Sequence, residues 1–259
     1  MLIPFNIGGD PLGYTYIPAE TAEQIINAAA VEVGLATATN PYTSTDPNFI
    51  ALRQLLKSLG RKLWRERNWA HLSREHSFDT ELDVQAYVLP PDFGRMVDQT
   101  GWNQTSGQPL GGPQTPQEWQ LQASSLLGGI GIRVSFRPWK GQLYLSSGSG
   151  ATIAANQTIQ FEYISKWWVQ PAAVDTANTD EPTASTDKLW FDPMLLVTGL
   201  KLAWKQAKGF DTTADQLDFD RMLMQSMGDD AASPTIRLGG RGTALGLFTL
   251  NVPDTGYGQ

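Results

Sequence analysis

Residues 46–67 read DPNFIALRQLLKSLGRKLWRER, and the reading of this stretch sets the reading of the whole chain. Asp46 followed by Pro47 is a helix start. The carboxylate caps free N–H groups, and a proline at the first helical position gives up no hydrogen bond. Phe49, Leu52, Leu56, Leu59 and Leu63 then recur at spacings of three and four, one apolar face of a helix over 47–67. Such a helix is roughly 30 Å long at 1.5 Å per residue. Gly60 stands in it as a weak point, because glycine loses backbone entropy there.

The same signal recurs at Asp192-Pro193. Leu195, Leu196, Leu200, Ala203 and Trp204 follow, and Lys208-Gly209 closes that helix. Upstream, Thr21 and Gln24 form a capping box for a helix over 21–33, with Ile25, Ile26, Ala29 and Val33 on one face. Downstream, Asp211 caps a helix to about Met227, with Leu217, Met224 and Met227 placed to face a core.

Between these helices the period changes to two. Leu72–Phe78, Tyr87–Leu89 and 94–103 are strand-like, with Pro90-Pro91 as a stop. Thr115-Pro116 opens a short helix to about Leu127. Ile130–Phe136, Gln142–Ser146 and Thr158–Trp168 are further strands, the first two joined by a Lys140-Gly141 turn. The expected fold class is therefore α+β: a helical bundle formed by both ends of the chain (20–69 and 187–230), an inserted antiparallel β-domain (70–186), and extended terminal arms (1–19 and 231–259).

Composition narrows the function. The 259 residues contain no Cys, which removes disulfides, thiolate nucleophiles and Cys-ligated zinc. Only two His thin the acid–base and metal options. His71 and His76 are five apart, on opposite faces of a strand or about 140° apart on a helix, and neither makes a ligand pair. Asp175, Asp180, Glu181 and Asp187 do not match a calcium loop and read as a solvated loop. The stretch 240–246, GRGTALG, lacks the Lys-Ser/Thr of a phosphate loop. No enzyme, metal or cofactor is expected. No apolar run spans a membrane and no secretory pattern opens the chain, so a soluble, cytoplasmic origin is expected. A net charge of -7 argues against a grip on duplex DNA.

Two charged segments rise above this background. Arg53, Lys57, Arg61 and Arg65 recur every four residues, and 46–75 carries a net +4. Residues 210–230 carry a net -5, with Asp211, Asp215 and Asp218 along the helix. Three readings stay open: solvated faces, contact of the basic ridge with DNA phosphates, or a meeting of the two faces within or between subunits.

The order of several stretches resembles the head-to-tail adaptor, or tail-tubular, family of tailed phages. These are Trp64 to Trp69, Leu72 to Phe78, Leu89-Pro90-Pro91-Asp92-Phe93 with Asp98 and Trp102-Asn103, Pro109-Leu110 with Thr115 to Trp119, Phe161 to Lys166, and Leu200 to Gly209. The resemblance covers about 46–230. It implies a helical bundle with an inserted β-region, a homo-oligomeric ring of twelve copies under the portal protein, and a downstream tail (nozzle or tail-tube) partner. It implies a virion protein of the neck, assembled in the host cytoplasm, through which genomic DNA passes without sequence-specific binding. The family's C-terminal segment reaches the portal. Here that assigns portal binding to Ile236, Leu238, Leu245, Leu247, Phe248, Leu250 and Val252, whose partial alternation suits strand addition to a sheet edge. The long N-terminal arm and Gly-rich tail depart from the family. Two other readings are a glycan- or receptor-binding virion protein using Trp102, Trp119, Trp167 or Trp168, and a hydrolase.

Overall fold

The computed structural model describes residues 19–82, 84–124, 134–147, 153–172 and 178–230. The helices are α1 (Ala22–Glu32), α2 (Pro47–Glu66), α3 (Pro116–Ser124), α4 (Pro193–Lys208) and α5 (Thr213–Asp230). The strands are β1 (Ser73–Asp79), β2 (Ala86–Val88), β3 (Phe93–Met96), β4 (Trp102–Asn103), β5 (Gln108–Pro109), β6 (Ser135–Trp139), β7 (Gln142–Ser146), β8 (Thr158–Ser165), β9 (Val169–Gln170) and β10 (Lys188–Leu189). Within the described residues the chain divides into one compact unit from 19–71 with 167–230, and a second from 72–166.

In the first unit the helix ends follow the capping chemistry. The Thr21 hydroxyl accepts from the Gln24 N–H, and the Gln24 amide oxygen accepts from the Thr21 N–H at 2.9 Å. Asp46 and Asp192 each accept a backbone N–H two residues on, at 2.8 Å. Gly209 ends α4 at φ 76°, a conformation that glycine adopts without strain.

The packing corrects the expected architecture. The chain is α+β, but its helices are not a bundle formed by both ends. Helices α1, α2 and α5 each pack on α4, and α1 touches α2 only slightly. The reason lies in the apolar faces. Helix α4 buries Leu195, Leu196, Val197, Leu200, Leu202 and Trp204 around much of its girth, whereas α5 buries Asp215, Phe219 and Ser226. A bundle needs a continuous apolar stripe from every member, and α5 lacks one. Leu217 and Met224, expected to face a core, are exposed. The antiparallel pair β9–β10 belongs to the same unit, and Thr21 bridges to Lys188. The central chain is β-rich and carries two further antiparallel sheets. The expected extended terminal arms, 1–19 and 231–259, lie outside the described residues except for Ala19.

Aromatic rings fill this unit. Trp69 is fully buried, donates its indole N–H to the Leu63 carbonyl at 2.7 Å and meets Phe191 edge-on at 5.5 Å. Trp168 lies 5.7 Å from Phe191 and covers Gly60, where an added Cβ would come within 2.2 Å of its ring. The glycine that read as a weak point is thus the seat of an indole.

In the second unit β8 is the spine. Strand β1 runs antiparallel along one edge, from Ser73 opposite Ile164 to Asp79 opposite Thr158. Strands β3 and β4 share the other edge, and β5 pairs with β4. A second sheet has the order β2-β7-β6. The inward residues Met96, Phe136, Leu143, Leu145, Ile159 and Phe161 form one core. The β6–β7 hairpin turns on Lys140 and Gly141, both at positive φ, as a tight two-residue turn requires. Strand β6 continues through Pro138, two residues past the expected end at Phe136. Proline is tolerated there because Pro138 pairs only with Leu143 and its other side needs no N–H.

Candidate functional site

The basic ridge of α2 has partners inside its own unit. The Arg53 guanidinium donates to the Tyr42 and Ser44 carbonyls and lies over the Tyr42 ring. Burial, then the nearby Asp187 charge, push the Tyr42 hydroxyl pKa up. Lys57 pairs with Glu181, and Arg61 with Asp180 at 2.9 Å and Glu181 at 3.3 Å. The acidic loop that read as solvated is therefore ion-paired. Asp187, buried, accepts from the Thr183 and Ala184 N–H groups at 2.8 Å and acts as a loop staple. Asp175 lies outside the described residues. Arg65 is exposed and takes no partner among the described residues.

The acidic helix is engaged elsewhere. Asp215 is buried at the α4–α5 contact and pairs with Lys205 at 2.6 Å and Lys201 at 3.3 Å. The Lys205 hydrogen bond is the main cause that holds its carboxyl below the usual range. Lys201 also reaches Glu32 at 3.3 Å. Burial depresses its pKa, but the hydrogen bonds to Glu32 and Asp215 outweigh that and raise it. Asp211 accepts from the Thr213 N–H and hydroxyl, which lowers its pKa. Asp218 is exposed and unpaired among the described residues. Among the described residues Arg53, Lys57, Arg61 and Arg65 take no partner on α5: α4 lysines satisfy Asp215, and loop acids satisfy Lys57 and Arg61, while beside the ridge Lys62 lies 5.8 Å from the Phe219 ring of α5.

The end of α5 is held by a contact that sequence reasoning missed. The Asp230 carboxylate accepts from the Ala70 N–H at 2.8 Å and sits 3.2 Å from His71 Nδ1. Arg67 donates to the Met227 carbonyl. Burial alone would raise the Asp230 pKa, but the His71 and Ala70 hydrogen bonds prevail and lower it. This docking extends α5 to Asp230, past the expected end at Met227. No local signal marks it, since the partners are separated by the β-rich chain.

Two stretches that carry the family resemblance hold each other. The Tyr163 hydroxyl donates to Asp92 at 2.9 Å, and the Lys166 N–H donates to the Asp92 carbonyl at 2.8 Å. The Phe93 and Tyr163 rings stand 5.6 Å apart. Burial first, then the bond to Asp92, push the Tyr163 pKa up.

Of the tryptophans considered for glycan stacking, Trp102, Trp119 and Trp167 are half-buried and Trp168 is buried. The exposed one is Trp139, at 44%, beside the Lys140-Gly141 turn, with Lys140 and Arg137 over its ring and Tyr144 at 5.3 Å. Its period-two position next to a hairpin turn was the available signal. A cavity of about 250 Å³ in the same unit is lined by Asn103, Gln108, Leu110, Ile153 and Gln157, none of them titratable. Among the described residues no three His, Asp or Glu gather to hold a metal, and no helix is long and apolar enough to cross a membrane. Ile236, Leu238, Leu245, Leu247, Phe248, Leu250 and Val252 lie outside the described residues, as does the glycine-rich 240–246. No protein-family model matches this chain, and a search of curated proteins returns no match.

Proposed function

We propose that the chain is a structural virion protein, a head-to-tail adaptor ring subunit that joins the portal protein to the tail and extends the DNA channel. The observation that carries this reading is the interlock of Leu89–Phe93 with Phe161–Lys166 through Asp92 and Tyr163. Residues that resemble the family by order serve each other as framework, which is the role expected of them in a scaffold. The internal pairing of most of the charged ridge supports passage of DNA rather than a grip on it. The partners are then the portal, a downstream tail component and further copies of the chain. Cosedimentation of the full-length protein with portal assemblies tests the reading. Binding that saturates near one copy per portal subunit supports it, and no binding contradicts it.

The second reading, glycan or receptor binding by the β-rich unit, is favoured by exposed Trp139 with Tyr144. It predicts sugar affinity in the monomer that Trp139→Ala removes, and unchanged titrations against a glycan array would exclude it.

A further inference from the structure

Helix α5 has two faces of unlike character. At about 100° per residue, buried Asp215, Phe219 and Ser226 fall within about 40° of one another. Ala214, Leu217, Arg221, Met224 and Gly228 fall on the opposite side, about 140–220° from Phe219. Their spacing of three and four is that of a helix-packing seam. Leu217 is 64% exposed and Met224 73%, so two large apolar side chains form a ridge along an otherwise polar surface. Asp218 and Asp229, both exposed and unpaired among the described residues, run along one edge of it.

The same unit offers a receptor for such a ridge. A groove of about 150 Å³ opens between α2, α4 and α5, lined by Leu55, Ser58, Leu59, Lys62, Ala203 and Phe219 among others. A volume of that order accepts a benzene-sized apolar group. Lys62 belongs to its lining, with its ammonium 5.8 Å from the Phe219 ring, and Arg65, exposed and without a partner among the described residues, shares the Ser58 side of α2 two turns on. The ridge carries Leu217 and Met224 with exposed Arg221 between them and acids along one edge, and the groove is apolar with a basic rim. The groove lies on the Phe219 side of α5 and the ridge on the opposite side, so one chain cannot satisfy itself.

We propose that copies of this chain associate head to tail, with Leu217 of one copy seated in the α2–α4–α5 groove of the next and Met224 packed beside it. The inference rests on the ring-subunit reading and names its neighbour contact. Donor and acceptor faces differ, so the contact is heterologous, and a heterologous contact closes into a ring when the rotation per copy divides the circle. Asp218 and Asp229 then face Lys62 and Arg65 across the seam. The charges found on α2 and α5 in the sequence meet between copies through these members, while Lys57, Arg61 and Asp215 stay engaged within each chain.

The absence of cysteine makes the test direct. Full-length Ser58→Cys and Leu217→Cys chains are mixed under oxidised glutathione and resolved by non-reducing electrophoresis and mass spectrometry. A disulfide joining the two variants, with loss of the oligomer in Leu217→Asp/Met224→Asp chains of unchanged circular dichroism, is the expected result. A dominant disulfide between two Leu217→Cys chains means an isologous contact and overturns the inference. Rings that form without the mixed disulfide overturn it and leave the ring reading standing. A wild-type chain that forms no oligomer either alone or with the portal takes both down.

Discussion

Replacing Gly60 by alanine sets two effects of opposite sign against each other. In a helix interior with open space around it, the change gains about 1 kcal/mol from propensity. In α2 the new Cβ would lie 2.2 Å from two ring carbons of Trp168. Carbon contacts are relaxed only from roughly 3.5 Å, so the indole would have to retreat by more than about 1 Å. It has little room: Trp168 is buried, its ring is 5.7 Å from Phe191, and Phe191 is packed on Trp69 at 5.5 Å. Overpacking of this kind costs about 1–3 kcal/mol, and a contact this short belongs at the upper end. Subtracting the propensity gain leaves a net loss of about 2 kcal/mol. Urea unfolding followed by tryptophan fluorescence should show a lower midpoint at unchanged slope. The Trp168 indole N–H has no hydrogen-bond partner among the described residues, so Trp168→Phe removes ring volume without breaking a bond. In that background the cost of Gly60→Ala should shrink by more than about 1 kcal/mol in a double-mutant cycle. If Gly60→Ala instead stabilises the wild-type protein by its full propensity gain, Trp168 does not sit on Gly60 and the account of this core is wrong.

Three further outcomes are expected. Asp215→Asn should cost about 2 kcal/mol at neutral pH, because two charge-assisted hydrogen bonds from α4 weaken. The Asp215 pKa is depressed in the folded chain, so its contribution is present above the ordinary carboxylate range and is lost as pH falls through the folded value. Chemical unfolding of wild type and variant should therefore converge in acid, and a gap that widens there refutes the pairing. Tyr163→Phe should cost about 1–2 kcal/mol by removing the hydroxyl donor of the half-buried Asp92 carboxylate, with faster amide exchange at Lys166, and an unchanged exchange rate counts against the interlock. Deletion of 233–259 should leave the circular dichroism of the described fold intact and abolish portal docking, and loss of folding would place that segment in the chain's own core.

Much of the local structure was legible because it is locally caused. Thr21 with Gln24, Asp46-Pro47, Asp192-Pro193 and Gly209 satisfy or end helix backbones within a few residues of themselves, and the helices begin and stop there. The Lys140-Gly141 turn and the alternation of Ile159, Phe161 and Tyr163 are short-range for the same reason. What was not legible depends on chain segments far apart. Gly60 looks like a defect until Trp168 is brought onto it. Lys57 and Arg61 look like a free ridge until the 180–181 loop meets them. The bundle expectation failed because apolar spacing says which side of a helix is oily, but not whether one neighbour, α4, takes nearly all of it. On α5 the pattern at Leu217 and Met224 was read as inward, and the buried anchor is Phe219. An apolar stripe has the same period whether it meets its own core or another molecule.

The ring role is tested most directly by the mass of the purified full-length protein, alone and mixed with the portal of the same virion, measured by mass photometry. The account predicts a closed species near twelve times the chain's 28.4 kDa, bound to the portal as one ring. A chain that remains a monomer in both samples contradicts it.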